Sequence, residues 1–445
     1  MRRISVANSN LALSSYWMPF TSNRDFKAAP RMIERAQGHY YWTEDGRQIY
    51  DGFSGLWTSG LGHCHPKIVE AVQQQVAELD YSIAFQVSHP KVFELANRLT
   101  AMAPEGFEHA FFCNSGSEAA DTALKIALAY HRANGEPTRT RLVGRARGYH
   151  GVNFGGISVG GMSPNRKAFS ACLIPGVDHL PHTFNLSQNA FSKGLPKWGA
   201  HLADELENLC ALHDPGNIAA VIIEPAPGST GILPPPEGYL QRLRHLCTKH
   251  GILLIFDEVI NAFGRVGAAF GAERFGVTPD IITVAKGLTN GVIPMGGAIV
   301  TDKIYDTIVQ GPPEVVELFH GYTYSGHPVA SAAALATLSI YEEEGSFAEA
   351  RALEPVFEEA IHSLADHPKV IDIRNIGLMG AVELAPRDGA PGARGLEVHK
   401  RCFWDEDLVI RNGVDIIQFS PFLNAKPDDI YAMFEKIRRV IDAVK

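Results

Sequence analysis

Gly251-Ile252-Leu253-Leu254-Ile255-Phe256-Asp257-Glu258-Val259 and, after a short connection, Pro279-Asp280-Ile281-Ile282-Thr283-Val284-Ala285-Lys286-Gly287 decide how this chain folds. Each is a short apolar run of the kind that forms a strand buried on both faces of a parallel sheet, and each stops at a charged residue. In a doubly wound α/β sheet, ligands bind beyond the carboxyl ends of the strands, so Asp257 and Lys286 are expected at one edge of one sheet. Their separation, 286 minus 257 or 29 residues, fits one strand, a connection and a neighbouring strand.

An isolated pair of this kind reads as two solvated strand ends. A lysine at such an edge becomes a useful nucleophile when its proton affinity is lowered or when it is condensed with a carbonyl, as with pyridoxal phosphate. A nearby aspartate would then keep the pyridine nitrogen of that cofactor protonated and make its ring an electron sink. Such a site further needs a phosphate cradle, a ring sandwich, a receptor for a substrate carboxylate and a dry pocket. The rest of the chain offers a candidate for each, and that reverses the bland reading.

Asn114-Ser115-Gly116-Ser117-Glu118 leads into residues 121–131, rich in alanine and leucine and so helix-forming. Ser115, Gly116 and Ser117 therefore sit at a helix N-terminus, where free N–H groups and the helix dipole favour an anion, although Ser-Gly-Ser is also an ordinary helix cap. Arg147-Gly148-Tyr149-His150-Gly151 opens a glycine-rich loop that runs to Met162. Tyr149 either lies flat against a ring or anchors that loop. Residues 219–223 form another buried-type strand, ending in Glu224-Pro225, before a helix at residues 239–250.

Upstream, residues 1–22 read as an extended arm whose cluster Tyr16-Trp17-Met18-Pro19-Phe20 is expected to pack elsewhere on the molecule or on a partner subunit. Residues 32–51 read as a hairpin around Asp45-Gly46, and helical periodicity covers residues 66–79 and 90–102. His63 and His65 raise a metal site, but no second cluster has ligand spacing and His65-Pro66 suits a helix start, so no metal is assigned. Downstream, a short strand is expected at 298–301 and a small-residue loop at 320–328 feeds an alanine-rich helix. From about residue 329 charged amphipathic helices with a few strands take over, ending in a helix at 427–445. That change marks a second, smaller α/β domain.

With 445 residues, 45% hydrophobic and 20% charged, the chain has an ordinary globular composition, large enough for two or three packing units. A formal charge of -9 and the lack of a basic stripe argue against nucleic acid or an anionic membrane as partner. Six cysteines without CxxC spacing and an N-terminus without a signal-like apolar run point to reduced thiols and a cytoplasmic protein.

Asn114-Ser115-Gly116-Ser117-Glu118-Ala119, Tyr149-His150-Gly151, Glu224-Pro225, Phe256-Asp257-Glu258-Val259, Ala285-Lys286-Gly287 and Gly321-Tyr322-Thr323-Tyr324-Ser325-Gly326-His327-Pro328 together resemble the class III aminotransferases among fold-type I pyridoxal-phosphate enzymes. The resemblance spans nearly the whole chain. Within the class, Tyr16-Trp17-Met18-Pro19-Phe20-Thr21 and Gly160-Gly161-Met162-Ser163-Pro164-Asn165-Arg166 look most like the ω-amino acid:pyruvate, or β-alanine:pyruvate, aminotransferases.

The resemblance implies a large domain, residues 61–328, with a mostly parallel seven-stranded sheet, a small domain at 329–445, and an N-terminal segment, 1–60, that joins the small domain. It implies that Lys286 binds the cofactor covalently and carries the proton, and that Asp257 pairs with the pyridinium. Gly116, Ser117 and, from a neighbouring subunit, Thr323 would hold the phosphate, with Ser115 also at the cofactor. Tyr149 and Val259 would sandwich the ring, with His150 and Glu224 also at the cofactor. Trp57, Phe85, Tyr149 and Arg411 would meet the substrate, Arg411 through its carboxylate. A shared phosphate site implies a homodimer or a dimer of dimers.

The reaction implied moves an amino group from β-alanine, another ω-amino acid or an amine to pyruvate. Alternatives of the same class are taurine:pyruvate or 4-aminobutyrate:pyruvate transamination, an aminomutase or a decarboxylase. Two departures from relatives that use 2-oxoglutarate favour pyruvate: Val152 stands where those carry an arginine for the distal carboxylate, and Ser229 where they carry a glutamate that masks the other arginine.

Overall fold

The structure, a computed structural model, describes residues 12–445. At its centre is a seven-stranded sheet in the order Phe107–Cys113, Gly296–Thr301, Ile281–Val284, Leu253–Asp257, Ile218–Ile223, Arg141–Arg145, Val177–Leu180. Every pairing is parallel except those of Gly296–Thr301, which runs antiparallel to both its neighbours. The mostly parallel sheet expected from the sequence is thus present. All residues of Ile218–Ile223, Leu253–Asp257 and Ile281–Val284 are buried, because helices cover both faces.

Alternation along the strands divides those faces. Leu253, Ile255 and Ile281 pack with the helix Gly116–Ala133, whose Ala119, Ala120, Ala123 and Ala127 let it approach the sheet closely. Leu254, Phe256, Ile282 and Val284 face the other way, into the core that includes Leu243 of helix Tyr239–His250 and Leu338 of helix Pro328–Glu343. Helix Pro328–Glu343 packs across Pro66–Glu78 and Pro90–Met102, and its Tyr341 hydroxyl donates to the Gly287 carbonyl at 2.8 Å, next to Lys286.

Two smaller sheets flank this unit. The expected hairpin forms between Tyr40–Trp42 and Gln48–Asp51, with Gly46 at φ 81 in the turn, a conformation glycine adopts without strain. Leu408–Val409 adds to Gln48–Asp51 in parallel, so the C-terminal part of the chain returns to its N-terminal part. The other sheet has the order Val370–Ile376, Met379–Leu384, Ile416–Phe419, Arg411–Gly413.

Residues 1–11 of the expected arm lie outside the described residues. The remainder of the arm differs from the extended reading, since Leu13–Ser15 is a single 3-10 turn, and Trp17 is 88% exposed rather than packed on this chain. No helix among the described residues is long and apolar enough to cross a membrane.

Candidate functional site

Asp257 pairs in register with Thr283, so Lys286 emerges from the adjacent strand just beyond the same carboxyl edge. Lys286 opens the one-turn helix Lys286–Thr289 at φ 45, a left-handed conformation that costs a non-glycine residue energy and recurs at functional sites. The surrounding protein desolvates its ammonium and lowers the pKa to about 8, against the opposing pull of Asp257 and Glu224. An amine of that kind is half neutral near pH 8, which suits a nucleophile or a proton carrier.

Asp257 is itself buried and held from three sides. Its Oδ2 lies 2.8 Å from His150 Nδ1, while Oδ1 accepts from the Thr283 hydroxyl at 3.0 Å and from the Val259 N–H at 3.2 Å. An ionised carboxylate only accepts, so His150 donates from Nδ1. Glu224 Oε1 accepts from the Tyr149 N–H at 2.9 Å and Oε2 from the Gly228 N–H at 3.2 Å, and burial pushes its carboxyl pKa up. Lys286, Asp257, His150, Glu224, Tyr149, Val259, Gly116 and Ser117 line one cleft.

The helix expected after Asn114-Ser115-Gly116-Ser117 is present, starting at Gly116. Ser115 caps the helix Gly116–Ala133 by accepting from the Glu118 N–H at 3.2 Å, and Glu118 Oε2 accepts from the Asn114 N–H at 2.7 Å, the reciprocal logic of a capping box. The N–H groups of Gly116 and Ser117 are left without acceptors among the described residues. A Cβ on Gly116 would stand 2.9 Å from Val259, and one on Gly151 only 2.3 Å from Ser117 Oγ, so both glycines keep space that a larger residue would fill. An aldehyde-bearing aromatic phosphate therefore fits. The helix start suits its phosphate, Tyr149 and Val259 its ring, Asp257 a protonated ring nitrogen and Lys286 its carbonyl carbon.

Arg411 and Trp57 join this group, the guanidinium lying 5.1 Å from the Trp57 ring centroid. Arg411 Nη1 donates to the Ser229 carbonyl at 3.0 Å and to Gln418 Oε1 at 2.6 Å, and burial lowers its pKa. Sequence reasoning missed how this segment is held. Arg147 donates to the Thr230 carbonyl at 2.8 Å and Arg374 to those of Gly231 and Ile232 at 3.0 and 3.1 Å. Three arginines from three parts of the chain thus clamp successive carbonyls of a turn in which Ile232 has φ 50. It also missed Glu258, which is fully buried, accepts from the Gly271 and Ala272 N–H groups, and is raised to about 7 by burial. A second charged residue directly after the strand-ending Asp257 was the available signal.

Phe85 and Thr323 are not brought to this cleft. The Tyr81 hydroxyl donates to the Thr323 carbonyl at 3.0 Å, and Phe85, 54% exposed, lies against Gly321. Both belong to an open surface of the chain. His63, from the doubtful His-Cys-His stretch, pairs with Asp51 at 2.9 Å, and His65 precedes Pro66 at the helix start.

The aminotransferase class-III family model matches residues 21–441. An omega-aminotransferase of Caulobacter vibrioides is 57% identical over 432 residues, covering 97% of this chain and 98% of its own. A beta-alanine--pyruvate aminotransferase of Pseudomonas aeruginosa is 49% identical over 440 residues, covering 98% and 97%. Among solved structures, a thermostable omega transaminase 4-fold mutant from Pseudomonas jessenii matches with a TM-score of 0.91 at 33% identity, covering 98% of each chain. A PLP-bound amine transaminase from an uncultivated Pseudomonas species matches with a TM-score of 0.88 at 35% identity, covering 97% of this chain and 99% of that one.

Proposed function

The chain belongs to the class III aminotransferase family, and from that premise we propose that it is a pyridoxal-phosphate-dependent aminotransferase of fold type I that moves an amino group from an ω-amino acid, β-alanine foremost, to pyruvate. The observation that carries the reading is one cleft in which the Lys286 amine, lowered to about 8, faces an aspartate tied to His150 at 2.8 Å. When bound, the cofactor supplies an aldehyde that captures amines and a protonated ring that draws off electrons.

The chain's own residues do the rest. The Gly116 and Ser117 N–H groups would hold the phosphate at the helix start. Asp257, kept in place by His150 and Thr283, would hold a proton on the ring nitrogen. Lys286 takes a proton from the amine-bearing carbon of the substrate and returns it elsewhere, for which a pKa near working pH is suited. Arg411 receives the substrate carboxylate beside the apolar face of Trp57, and Tyr149 and Val259 exclude water from the ring faces. Ser115 caps the helix and Glu224 fixes the Tyr149 backbone.

The reading includes a cytoplasmic homodimer, or dimer of dimers, in which Thr323 and Phe85 complete the cleft of a neighbouring subunit; their exposure on a single chain supports it. It also includes the division into 1–60, 61–328 and 329–445, supported by the pairing of Leu408–Val409 with Gln48–Asp51. A panel of amino donors read by cofactor absorbance tests the function. β-Alanine should discharge the pyridoxal form and pyruvate should restore it. Net isomerisation of the donor, or release of carbon dioxide without loss of the pyridoxal form, would assign an aminomutase or a decarboxylase instead.

A further inference from the structure

We propose that Gln418 is a positioning residue that determines specificity: it holds Arg411 at rest and so sets how strongly the site prefers donors with a carboxylate over amines without one. The inference rests on the donor chemistry proposed above.

Arg411 and Gln418 are directly paired residues of the antiparallel strands Arg411–Gly413 and Ile416–Phe419, so their side chains share one face of that sheet. Gln418 is 1% exposed, and its Oε1 accepts from Arg411 Nη1 at 2.6 Å. A guanidinium only donates, so the amide must turn its oxygen to Arg411. The consequence is that Gln418 Nε2 is buried with no hydrogen-bond partner among the described residues, an unfavourable state for an amide.

A methionine or leucine of similar size would avoid that cost, and a glutamate would bind Arg411 more tightly. Glutamine is the side chain of this length that accepts from the arginine without neutralising the charge a substrate carboxylate needs. The second acceptor of Nη1, the Ser229 carbonyl, is rigid because Arg147 and Arg374 hold the carbonyls that follow it. With Nη1 engaged twice, Nε and Nη2 have no acceptor among the described residues and remain for a carboxylate. An amine with an apolar substituent needs the opposite, a guanidinium that moves off, and each contact holding Arg411 resists that.

The test uses full-length holoenzyme with Gln418→Glu and Gln418→Met. Three quantities are measured: kcat and KM for β-alanine with pyruvate, the same for 1-phenylethylamine with pyruvate, and calorimetric binding of propionate, which has a carboxylate and no amine. Gln418→Glu should raise the β-alanine KM and the propionate Kd by about tenfold or more, the equivalent of one charge-assisted hydrogen bond. The β-alanine kcat should not change, because the proton transfer at Lys286 is untouched. The 1-phenylethylamine KM should hold or rise by less than the β-alanine KM in Gln418→Glu, whose tighter pair resists the move. Gln418→Met removes one contact holding Arg411, so it should lower the 1-phenylethylamine KM and raise the β-alanine KM and propionate Kd by less than Gln418→Glu does.

A merely structural glutamine would weaken both donors together. An unchanged ratio of the two donors, or unchanged propionate affinity in both variants, overturns the proposal. Should Gln418→Met fail to take up cofactor, the nearly isosteric Gln418→Glu carries the test. A wild type that turns over 1-phenylethylamine and not β-alanine overturns the donor assignment, and propionate binding then decides the role of Gln418 separately.

Discussion

The floor of the cleft and the surface around Thr323 are finished to different degrees. On the floor, Asp257, Glu224 and Ser117 each meet partners within the same chain: His150 and Thr283 for the first, Tyr149 and Gly228 for the second, the Val152 N–H for the third. Around Thr323 the chain instead exposes Tyr81, Phe85, Tyr324 and Phe319, the last at 89%. Exposed apolar patches of this sort mark interaction surfaces. The contrast teaches that the polar groups of the cleft floor are paired within one chain, whereas the apolar patch around Thr323 is left uncovered among the described residues, a place that the proposed homodimer would fill.

The first way to break the comparison is at the floor, where no partner is expected to compensate. Lys286→Ala should keep the fold and lose turnover, with general acid–base help alone worth about 100- to 10,000-fold. Near wild-type transamination by the variant would remove Lys286 from its role. The same lysine has a signature without cofactor. Below its pKa it is an unreactive ammonium and above it a free amine, so acylation of the apoprotein at Lys286 should rise with pH around a midpoint near 8 instead of the ordinary 10.5. Mass-spectrometric mapping of the modified residue across pH would read it.

Asp257→Asn keeps the size of the side chain and removes its charge. Proton removal from the substrate should slow by about 100- to 1,000-fold, as when other preorganised charges are deleted from active sites. Equal rates in stopped-flow measurement of that step would count against a role for the charge.

The third test lies between floor and surface, at Val152, which is half exposed, follows Gly151 of the cleft lining and donates its N–H to Ser117 Oγ. A dicarboxylate with one end on Arg411 would leave its other end against this valine. A fully buried unpaired charge costs about 3–5 kcal/mol; for so open a position we discount this to ~2 kcal/mol, or about 30-fold in rate. The pyridoxamine form should therefore react with pyruvate about 30-fold or more faster than with 2-oxoglutarate, and Val152→Arg should narrow the gap. Comparable single-turnover rates for the two oxo acids in the wild type would remove the argument. Ser229 sharpens the point, because with no carboxylate at that position Arg411 rests on its backbone carbonyl instead.

Much of the floor was legible in the sequence because its chemistry follows from local rules. Strands that end in Asp257 and near Lys286 share an edge, and a Ser-x-x-Glu start places free N–H groups at Gly116 and Ser117. Helices Pro66–Glu78, Pro90–Met102 and Tyr239–His250 followed from periodicity and their proline or glycine boundaries. The setting of Arg411 was not legible. Its partners Gln418 and Ser229 are set by the register of the C-terminal sheet and by a turn with Ile232 at positive φ, neither of which has a local signal. Phe85 shows the limit of resemblance: a motif match marks it as a pocket residue without saying whose pocket, and here it lies with Gly321.

The smallest expected effect sharpens the comparison most, because it falls on the exposed side. Thr323 is outside the cleft of its own chain, so a role in cofactor binding requires a second subunit. One hydrogen bond to a charged group contributes about 1.5–3 kcal/mol, so Thr323→Ala should raise the cofactor dissociation constant by about tenfold or more while leaving the lysine chemistry intact. Mixing supplies the decisive form of the test. Lys286→Ala and Thr323→Glu chains, each inactive alone, should recover activity when refolded together, since a hybrid dimer assembles one site from the unaltered Lys286 of one chain and the unaltered Thr323 of the other. If each chain used its own Thr323, every site in the mixture would carry a defect and no activity would return. Absence of recovery from hybrids verified by mass would therefore place Thr323 outside a shared site and leave the exposed patch without its proposed occupant.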